Sequence, residues 1–336
     1  MAMTSIGDMS LHFQSLRHGV QVKTRLATLT QELGTGLAAD LTAHLGGDRT
    51  RFTDIERRLS QVEGYSRAAN ETGQVIGVMQ VTLSAIDGTR NALAEQLLLI
   101  GSHTAPQQLD NAVLAGRSAF DSISGALNTS FGAQNLFSGT ATDSRALAAP
   151  DLMRASIAAA TAAATTAADV RTAIDTWFDS PTGGFATLGY LGDTGPALTR
   201  RIDAQLDVMI DARANDPALR DVLKATAMAA IAGDPGLALA PGEKAALLLD
   251  AGVALLSAGQ PLVAVQARLG QTELQIEVAS ASISARQTAY GIIHNELISV
   301  DPYTTATALQ QVQAQLETHY TLTSRLSRLT LMEYLR

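Results

Sequence analysis

The sequence contains no cysteine, and this absence excludes several kinds of chemistry at once. Disulfides, thiolate metal ligands and cysteine nucleophiles all require a thiol. Aromatic residues are also scarce, at 4%, whereas hydrophobic residues as a whole make up 46% of the chain. The core must therefore consist mainly of Leu, Ile, Val and Ala, a composition that suits packing of helices against helices.

Clusters of positive charge are lacking as well. The net charge is -8, with acidic and basic residues interspersed, whereas nucleic-acid binding needs clustered Lys and Arg. The densest basic stretch, Arg49–Arg58, is interrupted by Asp54 and Glu56 and is interpreted as a solvated helix face. The sequence predicts no nucleic-acid partner.

Long apolar runs are missing too. No run approaches the roughly 18 apolar residues that a membrane-spanning helix requires. The first residues, MAMTSIGDMS, lack the basic and apolar regions of a secretory signal peptide. We therefore expect no membrane partner and no cleaved signal, although composition alone does not distinguish a cytoplasmic protein from one exported by another route.

Catalytic and metal-binding motifs are not recognisable. No two histidines share a metal-ligand spacing such as HExxH, and there is no cysteine to assist them. The histidines are His12, His18, His44, His103, His294 and His319. The pattern of a nucleophile elbow is missing around Ser138-Gly139, and no Lys-Ser/Thr pair follows Gly183-Gly184. The sequence predicts a protein that is not an enzyme and has no metal and no cofactor.

A long apolar stripe with alternating steps of three and four residues is typical of a helix that packs against another helix. Its members are Ile76, Met79, Leu83, Ile86, Arg90, Leu93 and Leu97. We predict a helix from about Ser66 to Ile100.

A second stripe with the same spacing lies far downstream and includes Ile276, Ile283, Arg286, Tyr290, Ile293 and Leu297. Two such stripes favour an antiparallel rod built from both ends of the chain. Arg90 and Arg286 interrupt the apolar positions, which leaves two interpretations. They extend to solvent at the edge of the rod, or they fix the register as single polar residues do in coiled coils.

Further apolar stripes occupy the chain ends, and few charges accompany the C-terminal one. The predicted assembly interface comprises Val22, Leu26, Leu29, Leu33, Leu309, Val312, Leu316, Leu322, Leu326, Leu329, Tyr334 and Leu335. An apolar terminal helix is a poor surface for a monomer. We therefore expect other copies of the chain to cover it.

The middle of the chain has a different pattern. An Ala-rich stretch predicts one helix over Asp151–Ile174, and alternating apolar residues predict a strand pair within Arg200–Arg213, the only β signal. Helices are predicted over Ala218–Ala232 and from Pro241 to Ser257. The predicted fold class is mainly α: a long antiparallel helical rod or coiled coil built from both chain ends, with an inserted, mostly helical module carrying a small β element.

Two terminal motifs resemble the bacterial flagellin family. The stretch Ala308–Leu335 is similar to the C-terminal helix of that family, and Arg25–Gly36 is similar to the end of its N-terminal helix. The C-terminal match is carried by Leu316, Tyr320, Thr323, Arg325, Leu326, Leu329, Leu331, Tyr334 and Leu335. The segment Leu136–Asp143 (LFSGTATD) resembles the hook–filament junction branch, the third hook-associated protein.

The resemblance implies an organisation into three parts. Residues 1–40 and 300–336 would form an inner assembly core of terminal helices, 41–145 and 268–299 a helical rod, and 146–267 a variable outer domain. The implied partners are copies of the chain itself, hook-associated proteins, flagellin and a flagellar export chaperone. The implied location is the extracellular flagellum, reached through the flagellar type III apparatus. The middle departs from the family pattern, because many junction proteins have a β-rich domain there.

These observations predict a structural subunit that joins hook to filament by coiled-coil polymerisation of its terminal helices. A flagellin subunit of the filament itself is the alternative within the family. A helical signalling or adhesion protein is the alternative from another class.

Overall fold

The computed structural model describes residues 6–334, and side chains from Met9 to Arg325 apart from Leu11 and His12. Helices dominate the described chain. They are α1 (Ile6–Thr35), α2 (Leu41–His44), α3 (Thr50–Leu98), α4 (Pro106–Leu127), α5 (Pro150–Thr161), α6 (Ala167–Asp179), α7 (Pro217–Ile231), α8 (Pro241–Ser257), α9 (Gly259–Ile298) and α10 (Pro302–Tyr334). The predicted fold class is confirmed: the protein is mainly α, with long helices toward both chain ends and a small β element.

The described chain also contains a five-residue π-helix, Phe185–Gly189, and two short antiparallel hairpins. The hairpins are formed by β1 (Ser130–Phe131) with β2 (Gln134–Asn135), and by β3 (Leu198–Asp203) with β4 (Leu206–Ile210). In the second hairpin Leu198 lies opposite Ile210, so the predicted strand pair is confirmed. The first hairpin is not predicted by the sequence, because two-residue strands are too short to show an alternating pattern.

The predicted single helix over Asp151–Ile174 is wrong, because the chain forms two helices there. Thr166 caps α6: its hydroxyl accepts from the Asp169 N–H, and the Asp169 carboxylate accepts from the Thr166 N–H. This reciprocal capping box fixes a helix start. The Asp169 carboxylate accepts hydrogen bonds from the side chain and the backbone of Thr166, and these bonds lower the pKa of Asp169. The bond from the Thr166 side chain has the largest effect. Alanine has the highest helix propensity of all residues, so an Ala-rich stretch predicts an unbroken helix and conceals the break.

The α3 helix also begins earlier than predicted. It starts at Thr50, where the Asp48 carboxylate accepts from the Thr50 N–H, and continues without interruption to Leu98. Phe52, Ile55, Leu59 and Val62 form an earlier apolar stripe in the sequence, and one continuous helix carries both that stripe and the one from Ile76 to Leu97.

The described residues divide into two compact units. The terminal unit comprises the chain up to Val62 and from Ala285 onward, and the central unit comprises Glu63–Ser284. The finer division at residues 40, 145, 267 and 299 stays a prediction.

Helix α7 is the centre of the central unit, with α4, α5, α6 and α8 packed around it. Its small side chains let neighbours approach closely. A Cβ built on Gly116 of α4 would lie 2.6 Å from the Ala229 Cβ, and one on Gly233 would lie 2.8 Å from Val113 Cγ1. The contact between α4 and α7 therefore depends on glycine at these positions.

Ion pairs join the helices around α7. The Lys224 ammonium lies 2.8 Å from Asp179 and 3.4 Å from Asp175, linking α7 to α6. Lys244 of α8 lies 2.6 Å from Asp110 of α4. Burial opposes the charge on Lys224, but its carboxylate neighbours outweigh that effect and raise the pKa of Lys224.

In the central unit, α3 packs against α8 and α9. The contact, here called the seam, includes the predicted apolar stripe of α3 and the first part of the predicted stripe on α9. All six apolar members from Ile76 to Leu97 are buried, as are Ile276 and Ile283. Gln80 donates to the Gln266 carbonyl at 2.9 Å, and a Cβ on Gly73 would lie 3.7 Å from Ile276 Cγ2. Gly73 precedes Gln80 on α3, whereas its neighbour Ile276 follows Gln266 on α9, so the two helices are antiparallel.

In the terminal unit, the first turns of α3 meet the end of α9. The rings of Phe52 and His294 are 5.4 Å apart. Tyr290, Ile293 and Leu297 are half-buried there.

The expectation that no stretch resembles a membrane span needs correction. By length and composition alone, the helical stretch Pro241–Ile298 is long and apolar enough to cross a membrane. Core helices of soluble proteins meet the same criterion. The apolar residues here lie on two faces of the helix rather than in one uninterrupted run, which is why the sequence shows no long apolar run.

Gly116 and Gly125 of α4 give a matched test of the packing around α7. We expect Gly116→Ala to lower the free energy of unfolding by about 1–3 kcal/mol, because its new methyl group collides with Ala229. A Cβ on Gly125 would have nothing within 4 Å. Gly125→Ala should therefore raise the free energy of unfolding by up to about 1 kcal/mol through helix propensity. Chemical denaturation measures both; equal effects of the two substitutions would contradict the packing described.

Candidate assembly interface

The two long terminal helices, α1 and α10, lie against each other within the terminal unit. Backbone hydrogen bonds join the segment that follows α1 to the segment that precedes α10. The Ala38 N–H donates to the Ile298 carbonyl at 2.8 Å, and the Val300 N–H donates to the Gly36 carbonyl at 3.0 Å. Gly36 has a φ of +71°, a conformation that favours glycine. The chain therefore leaves α1 and enters α10 side by side, which makes the two helices antiparallel.

Six of the twelve predicted interface residues lie at the seam between these two helices. Val22 and Val312 are only 5% and 4% exposed, so α1 and α10 already cover them within one copy of the chain. Leu26, Leu29, Leu309 and Leu316 are half-buried beside them. The prediction that other copies cover Val22 and Val312 therefore needs correction, because the antiparallel pairing puts the two stripes face to face.

The remaining predicted interface residues are more exposed or lie outside the description. Leu33 and Leu322 are exposed. The side chains of Leu326, Leu329 and Tyr334 and the whole of Leu335 lie outside the described residues.

His319 of α10 lies close to the backbone of α1 at Gly19. A Cβ on Gly19 would lie 2.8 Å from the His319 Nε2, and the rings of His18 and His319 are 5.7 Å apart, edge to face. One turn further along α1, the Lys23 ammonium lies 5.5 Å from the centre of the Tyr320 ring. Glycine at position 19 thus provides the space that seats the imidazole.

A second apolar stripe on α1 is not among the predicted interface residues. Met9, Phe13, Leu16 and Val20 follow steps of four, three and four, and all are exposed, Met9 at 65% and Val20 at 64%. Phe13 has in addition an interaction within the chain. The spacing of these residues is visible in the sequence. The stripe of Val22, Leu26, Leu29 and Leu33 has the same period, however, and is sufficient to explain an amphipathic helix.

Helix α1 therefore has three faces. At 100° per residue, the Val22 seam, the Met9–Val20 stripe and a polar face with Gln14 and Gln21 point in three different directions. Only the first is covered by α10 among the side chains that the structure describes, which leaves the Met9–Val20 stripe as a surface for another molecule.

Helices α8 and α9 also carry an exposed apolar stripe in the central unit. Its members are Val253, Leu256, Val263, Leu274 and Val278. They lie opposite the buried residues of the same helices, which explains the high hydropathy of this stretch.

The first half of the segment that resembles the junction branch is buried, whereas Thr140 and Asp143 in its second half are exposed. Leu136, Phe137 and Ser138 are buried. The Ala214 N–H donates to the Phe137 carbonyl at 2.9 Å, and the Asp193 N–H donates to the Ser138 carbonyl at 2.8 Å. The Thr140 hydroxyl donates to the Asp193 carboxylate, and this bond is the main cause of the lowered pKa of Asp193. The buried half of the segment fastens two loops of the central unit.

Sites for small molecules are weakly developed. Among the described residues, no group of three His, Cys, Asp or Glu could hold a metal ion. An open cavity of about 530 Å³ is bordered by Asp169, Thr172, Trp177 and Gly184. The Trp177 indole N–H is already committed to the Ser156 hydroxyl at 3.0 Å. The described residues instead expose long apolar faces on α1 and on α8 and α9, and such faces suit the binding of other helices.

Comparison with known proteins gives a consistent result at both ends of the chain. Residues 10–142 match the bacterial flagellin N-terminal helical region, and residues 254–335 match the bacterial flagellin C-terminal helical region. No protein of curated function matches the chain. Among solved structures, a Vibrio parahaemolyticus protein assigned as a flagellar hook-associated protein is similar in fold. Its TM-score is 0.50 at 12% identity, over 73% of this chain and 95% of the other.

The seat of His319 can be tested with two glycines of α1. We expect Gly19→Ala to speed amide hydrogen exchange in α10, because its methyl group displaces the imidazole, whereas Gly34→Ala has nothing within 4 Å. Both substitutions gain helix propensity of up to about 1 kcal/mol, so their difference isolates the collision. Exchange that is equally slow in both variants would show that α10 does not rest on Gly19.

Proposed function

The chain belongs to the bacterial flagellin family, and from that premise we propose that it joins the flagellar hook to the filament by polymerising through its terminal helices. Membership of the family makes it a structural subunit of the bacterial flagellum. The family polymerises and associates with other axial proteins of the flagellum.

The junction role rests on one sequence observation, the resemblance of Leu136–Asp143 to the junction branch. The fold similarity to a protein assigned as a flagellar hook-associated protein supports it. The burial of Leu136–Ser138 is compatible with this role, because a branch of a family can differ in how its central unit is fastened. A filament flagellin is the competing proposal.

The proposed assembly surface is the exposed stripe of α1, with Met9, Leu16 and Val20 as its carriers. Burying each of these side chains against a neighbour would contribute about 1.5–3 kcal/mol. The same contact repeats in every copy, so a modest gain per copy stabilises the whole assembly. The Val22 seam has a different role in this proposal, since it holds α1 and α10 together so that they present the stripe.

The predicted partners and organisation follow from this role. We propose that residues 1–40 and 300–336 form the inner assembly core, 41–145 and 268–299 the rod, and 146–267 the outer domain. The partners would be copies of the chain, hook-associated proteins, flagellin and an export chaperone, and the location would be the extracellular flagellum. Catalysis has no part in the proposal.

The stripe can be tested with a pair of charge-adding double variants. We expect Leu16→Glu with Val20→Glu to abolish assembly while leaving helicity unchanged, because two carboxylates would be buried in the contact. The matched control, Gln14→Glu with Gln21→Glu, adds the same charge on the polar face of α1. Sedimentation after seeding with hook or filament fragments measures assembly.

The control variant should sediment like the unmodified chain. Assembly by the Leu16/Val20 variant at the unmodified level would remove the stripe from the proposal. Loss of assembly in both variants would indicate a general effect of charge rather than a contact at the stripe.

The junction role itself is tested by gene deletion. A strain without this protein should build hooks that lack filaments and release flagellin into the medium. A strain that keeps normal filaments would contradict the junction role. A strain that makes no flagellin, together with seeded growth of long filaments from this purified chain, would establish the filament role instead.

A further inference from the structure

The apolar seam between α3 and its partner helices repeats every seven residues. On α3 one row runs Ile76, Leu83, Leu97, and on α9 one row runs Leu262, Leu269, Ile276, Ile283. A slip of seven residues would again place apolar side chains opposite apolar side chains. Apolar burial alone therefore does not determine the register of this pair.

Arg90 occupies the one position of the α3 row that is not apolar. Its side chain is buried, with the residue 7% exposed. Its Nη1 donates to the Leu255 carbonyl at 2.9 Å, and its Nε donates to Asp87 Oδ1 at 2.8 Å. The guanidinium carbon also lies 3.2 Å from where a Cβ of Gly259 would be. The interpretation that Arg90 extends to solvent is wrong, because the seam encloses it.

The partner helices offer Arg90 a matching position at the break between α8 and α9. Leu255 lies in the last turn of α8, where helix carbonyls lack a partner within the helix. Pro261, in the first turn of α9, has no N–H for the Ser257 carbonyl four residues earlier, which is consistent with α8 ending at Ser257. Gly259 has no side chain, so the planar guanidinium can lie against its backbone. The break thus supplies both an available acceptor and the space to reach it.

We infer that Arg90 is a register lock, which admits only the alignment that places it beside the break between α8 and α9. A slip of seven residues would bring it opposite Leu262 or Leu248, within regular helix. The ion pair with Asp87 on the same helix would persist. The buried Nη1 would lose the Leu255 carbonyl, and a buried donor of a charged group without its acceptor is unfavourable. The apolar rows supply the attraction between the helices, and Arg90 selects among the alignments that the apolar rows alone would permit.

Arg286 does not share this arrangement. It is only half-buried and has other interactions within the chain. Of the two arginines that interrupt the predicted stripes, the lock involves Arg90 alone, and Arg286 provides a matched control. The inference concerns the folding of one copy and is independent of the proposed junction role.

Cysteine cross-linking can read the register, because the chain has no cysteine of its own. In the full-length protein, Gln80→Cys with Gln266→Cys reports the observed register, since these residues are in contact. Gln80→Cys with Glu273→Cys reports a slip of seven residues in one direction, and Gly73→Cys with Gln266→Cys a slip in the other. Each pair is unfolded, refolded and treated with a short bis-maleimide.

We expect the unmodified Arg90 background to link Gln80→Cys to Gln266→Cys almost exclusively. Arg90→Met should shift the ratio of observed to slipped cross-links by about tenfold or more, at unchanged helicity. Arg90→Lys retains a donor and should lie between the two. Arg286→Met should leave the ratio as in the unmodified protein.

A second variant guards against misfolding of Arg90→Met. Gly259→Val keeps Arg90 but fills the space against which its guanidinium lies, and it should produce the same slipped cross-links. If Arg90→Met folds and keeps the unmodified ratio, the lock is refuted. If Arg90→Met does not fold, an unmodified ratio in Gly259→Val refutes it.

Discussion

The central unit depends on a contact between helices that are far apart in the sequence. Gln80 and Gln266 hydrogen-bond across a separation of 186 residues, so α3 and α9 meet only after a long stretch of chain has been closed into a loop. The entropic cost of closure grows slowly with loop length, but contacts of this range delay folding. The seam therefore needs the intervening chain to be ordered as well.

That intervening chain is a folded body in its own right rather than a passive connection. Helix α7 is almost entirely buried, and α4, which was predicted to belong to the rod, packs closely against it. The close contacts at Gly116 and Gly233 give this packing little tolerance for larger side chains. Ion pairs from Lys224 and Lys244 then fix the helices around α7 at the surface.

Hydrophobic periodicity predicted the long helices well, because neither a strand nor a loop sustains steps of three and four residues over several heptads. It also located the strand pair near Arg200 and both ends of α8. It failed where the deciding interaction was local and polar, as at the capping box of Thr166 and Asp169, which divides an alanine-rich stretch into two helices.

Periodicity does not show which apolar stripe of a helix is covered. The Val22 and Met9–Val20 stripes of α1 have the same spacing, and only the partner helix distinguishes them. The seam position of Arg90 is evident from the sequence, whereas its acceptor, the Leu255 carbonyl, depends on a helix break that only the fold reveals.

The fastening of Leu136–Ser138 has a consequence for how such a chain can diversify. Two main-chain amides, those of Asp193 and Ala214, hold this segment by its carbonyls. Main-chain groups are common to every residue except for the missing N–H of proline, so the anchor imposes few demands on the side chains that supply it. The polypeptide between and before these amides can lengthen, shorten or exchange helix for sheet, provided that it returns two amides to the same place. Relatives with differently built middle regions could thus share one attachment point.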